Sequence, residues 1–250
     1  MKKHLVVTSL MWLTALALLI PARAEAQSPT VKQLLARVAA LEATVAALQA
    51  KLACVSVDDN PINGLAGPQF IFEGCNVHVR SGSGATDDGG TLTGLGNLVI
   101  GYNEPRLTRD GPDETGRTGS HNLIVGREHK YSSFGGFVAG MRNTVSGEEA
   151  SVSGGSFNTA SGEFSSVSAG ESNAASAQNA SVSGGKGNAA SGLQASVSGG
   201  FDNTASGDLS SVSGGLGNTA SGEEASVSGG NNRSATGQFD WAAGTLFETE

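Results

Sequence analysis

The sequence predicts an all-β protein whose main part is a parallel β-solenoid with 15-residue coils, preceded by a short coiled-coil helix. The pentapeptide Ser-Val-Ser-Gly-Gly recurs at fifteen-residue spacing, and glycine makes up 37 of the 250 residues. Average glycine usage is roughly 7%, so this chain carries about twice the usual share. Aromatic residues are only 5%, which disfavours the conventional globular cores on which most enzymes are built.

Residues 1–26 have the features of a secretory signal peptide. Lys2 and Lys3 precede an apolar run at 5–20, and Ala24-Glu25-Ala26 supplies a cleavage site. The run has about 16 residues where a membrane span needs about 20, and no second apolar span follows. Cleavage changes the net charge from −8 to −10, because three positive charges and one negative charge leave. We therefore expect an exported, acidic protein that does not bind nucleic acid, outside a bacterium, on its outer surface, or alternatively in the periplasm.

Residues 27–54 are predicted to form a coiled-coil stalk. Apolar residues alternate at spacings of three and four over a little more than three heptads, with valine mostly at position a and leucine at position d. Nothing else in the chain supplies a helix for this stripe to pack on, so self-association is expected. Valine at a with leucine at d favours a dimer. The oligomerisation residues are Val31, Leu34, Val38, Leu41, Val45, Leu48 and Leu52.

The two cysteines, Cys54 and Cys75, lie at the end of the stalk and in a linker or small β region at 55–94. An even number of cysteines in an exported chain makes a disulfide plausible. The bond would form either within one chain or between chains, and two buried free thiols are the alternative.

The region 95–250 is predicted to be the β-solenoid. Its regular coils are marked by three residue columns at a fixed period, the sign of a solenoid. One column is asparagine, at 158, 173, 188, 203 and 218. The predicted core ladder consists of a valine column and an alanine column: Val152, Val167, Val182, Val197, Val212 and Val227, with Ala160, Ala175, Ala190, Ala205 and Ala220.

Each coil contains two short alternating segments that end in glycine, which predicts two strands with Val or Ala inside and Ser or Thr outside. Stacking at about 4.7–4.9 Å would pair each strand with its copies above and below. Such a core is thin, so a lone solenoid would be marginally stable. Variable pairs such as Glu148-Glu149 and Ser156-Phe157 mark the corners, which either only solubilise the protein or form a row of contact points.

Upstream, the segments at 97–101, 122–126 and 136–140 look like degenerate coils with larger apolar residues in the core. An insertion at 102–121, rich in Arg, Asp, Pro and Gly, leaves this scaffold. It is either a loop for specific binding or disordered. At the other end, 238–250 contains Phe239, Trp241 and Phe247, which fit an aromatic cap against end-on stacking.

The repeats Val152-Ser-Gly-Gly155 and Ala160-Ser-Gly162, with their copies, resemble the head of trimeric autotransporter adhesins, a YadA-like head with short Hep/Hag-type repeats, over roughly 95–240. The resemblance implies a left-handed β-roll, a homotrimer, and adhesion to a cell surface, matrix or glycan. Three departures limit it: Gly154 stands where the family has a second large aliphatic, the helix precedes the roll, and only thirteen residues follow Gly237. We therefore do not expect the family's membrane β-barrel.

No residue pattern indicates catalysis, a cofactor or a metal. His78, His121 and His129 lie in separate segments, and the serines are regular rather than set in a nucleophile elbow. Asp58-Asp59-Asn60 and Asp87-Asp88-Gly89 are weak calcium candidates. We expect a non-enzymatic adhesin-like or structural oligomer. The alternatives are a flat-face binder of ice or another crystalline surface, and a glycan-active β-solenoid enzyme served by the insertion.

Overall fold

The computed structural model describes residues 29–244, and the predicted signal peptide at 1–26 lies outside them. The chain divides into two compact units, which meet in the sequence between Val77 and His78. This boundary falls inside the predicted linker at 55–94. The first part of that segment belongs with the helix, and the second part belongs with the solenoid.

The first unit contains one helix and one β-hairpin. Helix α1 spans Pro29–Lys51, and strands β1 (Val55–Asp58) and β2 (Gln69–Phe72) pair antiparallel, with Val55 opposite Phe72. Cys54, just before β1, forms a disulfide with Cys75, just after β2. The bond is therefore within one chain, and it closes the base of the hairpin.

The second unit is a parallel β-solenoid, as the sequence predicts. Its first part contains seven strands of two to five residues: β3 (Leu98–Ile100), β4 (Arg106–Thr108), β5 (Gly111–Asp113), β6 (Leu123–Arg127), β7 (Lys130–Tyr131), β8 (Phe137–Met141) and β9 (Thr144–Val145). Strands β4 and β5 form a short antiparallel hairpin that interrupts the coils.

The regular coils follow, each with two strands of two residues. They are β10 (Ser151–Val152), β11 (Thr159–Ala160), β12 (Ser166–Val167), β13 (Ala174–Ala175), β14 (Ser181–Val182), β15 (Ala189–Ala190), β16 (Ser196–Val197), β17 (Thr204–Ala205), β18 (Ser211–Val212), β19 (Thr219–Ala220), β20 (Ser226–Val227), β21 (Ser234–Ala235) and β22 (Trp241–Ala242).

Two parallel sheets form the walls of the solenoid. One has ten strands, β3, β6, β8 and then every even-numbered strand to β22, and the other has eight, the odd-numbered strands from β7 to β21. Ser151 pairs with Ser166, and Ser166 with Ser181, so successive regular coils are fifteen residues apart. The coils before them are shorter: Leu123 pairs with Phe137, and Phe137 with Ser151, at fourteen-residue spacing.

The core is a stack of small side chains, and the predicted valine and alanine columns are all buried at 0–1% exposure. The upstream coils only partly match the prediction of larger cores. Val99, Ile124 and Val138 fill the interior, but Leu98 and Ile100 point outward and are 50% and 56% exposed. These three consecutive residues are all apolar, so the sequence shows no alternation between buried and exposed positions. In the strand, every second side chain nevertheless points to the outer face.

A buried asparagine ladder runs along the interior. The Asn188 N–H donates to Asn173 Oδ1 at 3.0 Å, and its own Oδ1 accepts from the Asn203 N–H at 3.0 Å. Its Nδ2 donates to the carbonyls of Gly184 and Gly200 at 2.9 and 3.0 Å. Each asparagine side chain thus supplies hydrogen-bond partners for backbone N–H and C=O groups that the two-residue strands do not pair. Buried backbone groups require such partners.

Different residues stand at the two ends of this ladder. At the start, His129 Nδ1 accepts from the Asn143 N–H at 3.2 Å, and its Nε2 lies 3.1 Å from the carbonyl of Val125. At the other end, the Arg233 N–H donates to Asn218 Oδ1 at 2.9 Å. A guanidinium has no acceptor atom, so the ladder cannot continue beyond Arg233.

Candidate functional site

The outer face of the ten-stranded sheet is a regular field of hydroxyl groups. Ser151 and its five partners in register form one column, with a buried valine after each, and Ser153 and its copies form an exposed second column. The eight-stranded sheet presents Thr, Ala or Ser in the equivalent outward column from Thr144 to Ser234. Between residues 144 and 234, neither flat face carries a charged side chain, so neither offers an acid–base pair.

The charges of the regular coils are concentrated at the corners instead. One corner holds Glu149, Phe164, Leu209 and their copies in a left-handed backbone conformation, with φ of 52° to 58° at these three. Non-glycine residues seldom adopt positive φ, yet this corner repeats it in every coil. The side chains are exposed and form ladders, for example Gln178 Nε2 with Glu163 Oε2 at 3.0 Å. The corners are thus the most chemically varied surface of the repeats.

The insertion at 102–121 is an ordered hairpin that packs back onto the solenoid. Strands β4 and β5 pair antiparallel, with Arg106 opposite Asp113. The Arg106 guanidinium donates to the carbonyl of Arg142 at 2.8 Å and lies 3.4 Å from the carbonyl of Glu128. On the other strand, Lys130 Nζ lies 2.5 Å from Asp113 Oδ2. The insertion is therefore ordered, which contradicts the alternative of a disordered segment. Its role as a loop for specific binding stays a prediction.

Electrostatics fixes the charge states of this docked hairpin. Burial works to raise the pKa of Glu128, but the hydrogen bond from Arg142 at 2.6 Å and that from the Leu107 N–H bring it below its usual value. The hydrogen bond from Lys130 holds the pKa of Asp113 far below its usual range. Burial lowers the pKa of Arg106. These carboxylates are ionised and engaged with cations, so neither serves as a free general acid or base.

The return arm of the insertion covers a sheet edge. Strand β7 is the first strand of the eight-stranded sheet, and its Tyr131 N–H donates to the Gly116 carbonyl at 2.7 Å. The Gly119 N–H then donates to the Tyr131 carbonyl at 2.9 Å. Open sheet edges promote association with other chains, so one structural role of the insertion is to close this edge.

The predicted aromatic cap lies on the outside of the last coil. Trp241 pairs with Ser226 in the outward column, and its Nε1 donates to Ser228 Oγ at 2.8 Å. Phe239 and Trp241 are 64% and 69% exposed. Neither ring covers the interior of the solenoid, and Phe247 lies outside the described residues.

His121 Nδ1 lies 4.0 Å from Oδ1 of Asp88 in one acidic turn, but the histidines and acidic turns form no metal-binding group in the described part of the chain. His129 is buried in the asparagine ladder, and Asp88 is buried among hydroxyl groups, with Ser81 Oγ 2.5 Å from its Oδ1. Throughout residues 29–244, no three His, Cys, Asp or Glu side chains are grouped so that they could hold a metal ion. No helix in the same residues is sufficiently long and apolar to cross a membrane.

Helix α1 carries an unpartnered apolar stripe. The seven residues at heptad positions a and d, from Val31 to Leu52, are 43–62% exposed within the single chain. The hairpin of the same unit does not cover them, since every side chain from Thr30 to Ala53 is exposed. Among the described residues of the first unit, 29–77, this is the largest continuous set of exposed aliphatic side chains.

No protein-family model matches the chain, and no curated protein is significantly similar to it.

Sequence reasoning missed the ion-pair network of the insertion. Arg106 reaches Arg142, which is 36 residues away, and Arg142 in turn pairs with Glu128. The only sequence signal was the local abundance of arginine and aspartate in the insertion, which does not identify partners.

Proposed function

We propose that this chain is an exported, non-enzymatic homotrimer that acts as an adhesin-like or structural surface protein. In this proposal residues 1–26 direct export, α1 joins the chains, and the left-handed roll displays its corners for binding. The resemblance of the repeats to the heads of trimeric autotransporter adhesins supports the proposal. The mature protein would lie outside a bacterial cell or on its surface.

The exposed stripe of α1 carries the proposal. Burying a large aliphatic side chain contributes about 1.5–3 kcal/mol, so seven half-exposed side chains would contribute on the order of 5–10 kcal/mol per helix on association. Most of the stability of a helix in a protein comes from packing of its apolar face, and the 23-residue helix α1 has no packed face in the single chain. Association of copies through this stripe therefore stabilises the helix and removes the exposed surface at once.

The heptad chemistry and the family resemblance favour different numbers of chains. Valine at a with leucine at d favours a dimer, whereas the resemblance implies a trimer. The flat faces of the solenoid support closer packing of several chains, because uncharged faces meet without like-charge repulsion. We propose the trimer because the resemblance of the roll implies it and because the uncharged faces would let the rolls pack together.

Adhesion would use many weak contacts. Corners that recur at the strand spacing of about 4.8 Å present acidic, amide and apolar side chains in a row, and three chains multiply the number of rows. Linked sites can exceed the affinity of one site by about 10²–10⁴. The flat faces carry small Ser, Thr and Ala side chains, which suits contact rather than catalysis.

The test compares surface binding of the oligomer with that of a variant whose stalk cannot associate. Leu34→Glu with Leu41→Glu places charges in the stripe, and Ala43→Glu places the same charge on the opposite side of the helix as a control. We expect wild type and Ala43→Glu to bind cells, matrix proteins or glycans, and the double variant to lose about 10²-fold in apparent affinity. A folded oligomer that binds none of these surfaces would contradict the adhesive role.

A second candidate is a binder of ice or another crystalline surface. It is favoured by the registered columns of Ser151, Ser153 and their copies, which hold hydroxyls on a flat, uncharged sheet face. Thermal hysteresis at millimolar protein, lost on Ser181→Lys with Ser196→Lys, would support it. Absence of hysteresis in the wild-type protein would remove this candidate.

A further inference from the structure

The first segment of the second unit, at 78–96, folds into an ordered loop around His121. The Ser81 N–H donates to His121 Nε2 at 3.1 Å, and His121 Nδ1 lies 2.7 Å from the Thr86 carbonyl. Because Nε2 accepts a hydrogen bond, Nδ1 must carry the proton that is donated to Thr86. The imidazole thus ties together both ends of the six-residue segment 81–86.

Asp88 supports the loop from behind. Its Oδ1 lies 2.5 Å from Ser81 Oγ, and its Oδ2 accepts from the N–H and the hydroxyl of Thr93, both at 2.8 Å. The carboxylate is buried and lies 4.0 Å from His121 Nδ1. Its negative charge is therefore saturated by hydroxyl and amide donors on the inner side of the loop.

The outer side of the loop borders an open cavity of about 730 Å³ whose lining residues, Arg80 among them, are mostly exposed; small-ligand sites usually have volumes of roughly 300–1,000 Å³. Its functional lining residues are His78, Arg80, Ser81, Thr86 and His121, together with glycine backbone. Only Val79 and Ala85 contribute apolar side chains. A cavity with this lining suits a hydrated, polar ligand rather than a lipid or an aromatic ring.

Arg80 is the only arginine, lysine or carboxylate side chain in the lining of the cavity. No carboxylate lines it, and the Arg80 guanidinium has no hydrogen-bond or ion-pair partner anywhere in residues 29–244. Arginine differs from lysine in offering a planar fork that matches carboxylate and sulfate oxygens in pairs. Both ring nitrogens of His121 are engaged within the loop, so the unpaired Arg80 guanidinium is the group of the lining that would receive an anion.

The glycines of the loop keep the cavity open. Gly82 and Gly84 both have φ of 95°, and a Cβ added at either would meet nothing within 4 Å. The space in front of their backbone is therefore empty, and a ligand can approach the main chain closely. Among the described residues, neither N–H has a hydrogen-bond acceptor, so both are available as donors.

We propose that this cavity binds a sugar bearing a carboxylate or sulfate group, with Arg80 holding the anion and Thr86, His78 and the N–H groups of Gly82 and Gly84 facing the sugar hydroxyls. The local charge is compatible with an acidic ligand, since residues 78–142 carry seven basic and seven acidic side chains. The acidic excess of the chain lies instead at 143–244, with nine acidic and two basic residues. The inference rests on the proposed adhesive function, because an exported surface protein meets acidic glycans in its surroundings.

The test is calorimetric titration of the full mature chain with three probes at 0.15 M salt. Trigalacturonate supplies carboxylates, a sulfated dextran oligosaccharide supplies sulfates, and maltotriose is the neutral control. We expect at least one acidic probe to bind and maltotriose not to bind. The acidic probe that binds identifies whether the anion is a carboxylate or a sulfate. Binding should also shift the amide resonances of Gly82 and Gly84.

Variants locate the site. Arg80→Ala should weaken binding of the acidic probe at least tenfold, since hydrogen bonds to charged groups contribute about 1.5–3 kcal/mol. Arg80→Lys should give an intermediate loss. Arg109→Ala removes another exposed arginine and should change the affinity less than twofold. Equal affinity of Arg80→Ala and Arg109→Ala, or equal binding of maltotriose, would overturn the inference.

Light scattering of the same samples separates this inference from the proposed function. An oligomer that binds cells or matrix but none of the three probes would overturn the cavity assignment and leave the adhesive function standing. A monomeric chain that still binds the acidic probe through Arg80 would support the cavity and contradict the homotrimer.

Discussion

The two glycines of one Ser-Val-Ser-Gly-Gly repeat should respond in opposite ways to alanine. Gly185 has φ of 83°, and a Cβ there would press on the Gly200 carbonyl of the next coil and on Asn188 Nδ2. Gly184 lies outside the left-handed region, and a Cβ there would meet nothing within 4 Å. Alanine is therefore strained and crowded at 185 but accommodated at 184.

The expected cost at Gly185 follows from two effects. A left-handed conformation costs a non-glycine residue about 1–2 kcal/mol. Displacing the Gly200 carbonyl also weakens the hydrogen bonds that it accepts from the Lys186 N–H and Asn188 Nδ2, both at 3.0 Å, and each is worth about 0.5–1.5 kcal/mol. Gly185→Ala should therefore lower the free energy of unfolding by about 2–5 kcal/mol.

Urea denaturation followed by far-ultraviolet circular dichroism measures this difference. Gly184→Ala should be neutral or stabilise the protein by up to about 1 kcal/mol, because alanine reduces the freedom of the unfolded chain. The midpoint of Gly185→Ala should fall at an unchanged slope. Equal midpoints for the two variants would refute the stacked-coil geometry at these glycines.

Three further outcomes follow from the ladder and the insertion. Asn188→Ala should lower the free energy of unfolding by about 2–4 kcal/mol, because it leaves the buried Asn203 N–H without an acceptor. Hydrogen exchange at the Asn203 amide should be faster in this variant and unchanged in the control Ser183→Ala. Burial lowers the pKa of His129, so the unfolded chain takes up a proton at higher pH than the folded chain, and stability should fall as pH decreases below about 6.5. Thermal melts of His129→Asn should lack this loss. A pH profile identical to that of the wild type would contradict a buried, neutral His129. Arg106→Ala should release the 102–121 hairpin without unfolding the regular coils. Limited proteolysis should then show new cleavage confined to residues 102–121. An uncut hairpin would contradict the anchoring role of Arg106.

The repeat made most of the fold predictable. Val182 recurs every fifteen residues with serine on both sides, and this period together with the alternation determines both the coil length and the buried face. The asparagine column was visible for the same reason. The ends of the ladder were not, because His129 and Arg233 replace asparagine with residues of other types.

Contacts that join distant segments were out of reach of the sequence pattern. His121 binds Ser81 forty residues away, and neither residue belongs to a repeat. The cavity beside Arg80 arises from that single closure, so it fell within a region predicted only as a linker. Likewise, Leu98 and Ile100 lie in an apolar run without alternation, which conceals that they face outward.

The mass of the mature chain in solution tests the central claim most directly. Light scattering of residues 27–250 should give three times the mass of one chain, with Ala43→Glu unchanged and Leu34→Glu with Leu41→Glu reduced to the monomer. A wild-type chain that is folded, rich in β-structure and monomeric at micromolar concentration would contradict the account, because the stripe of α1 would then have no partner.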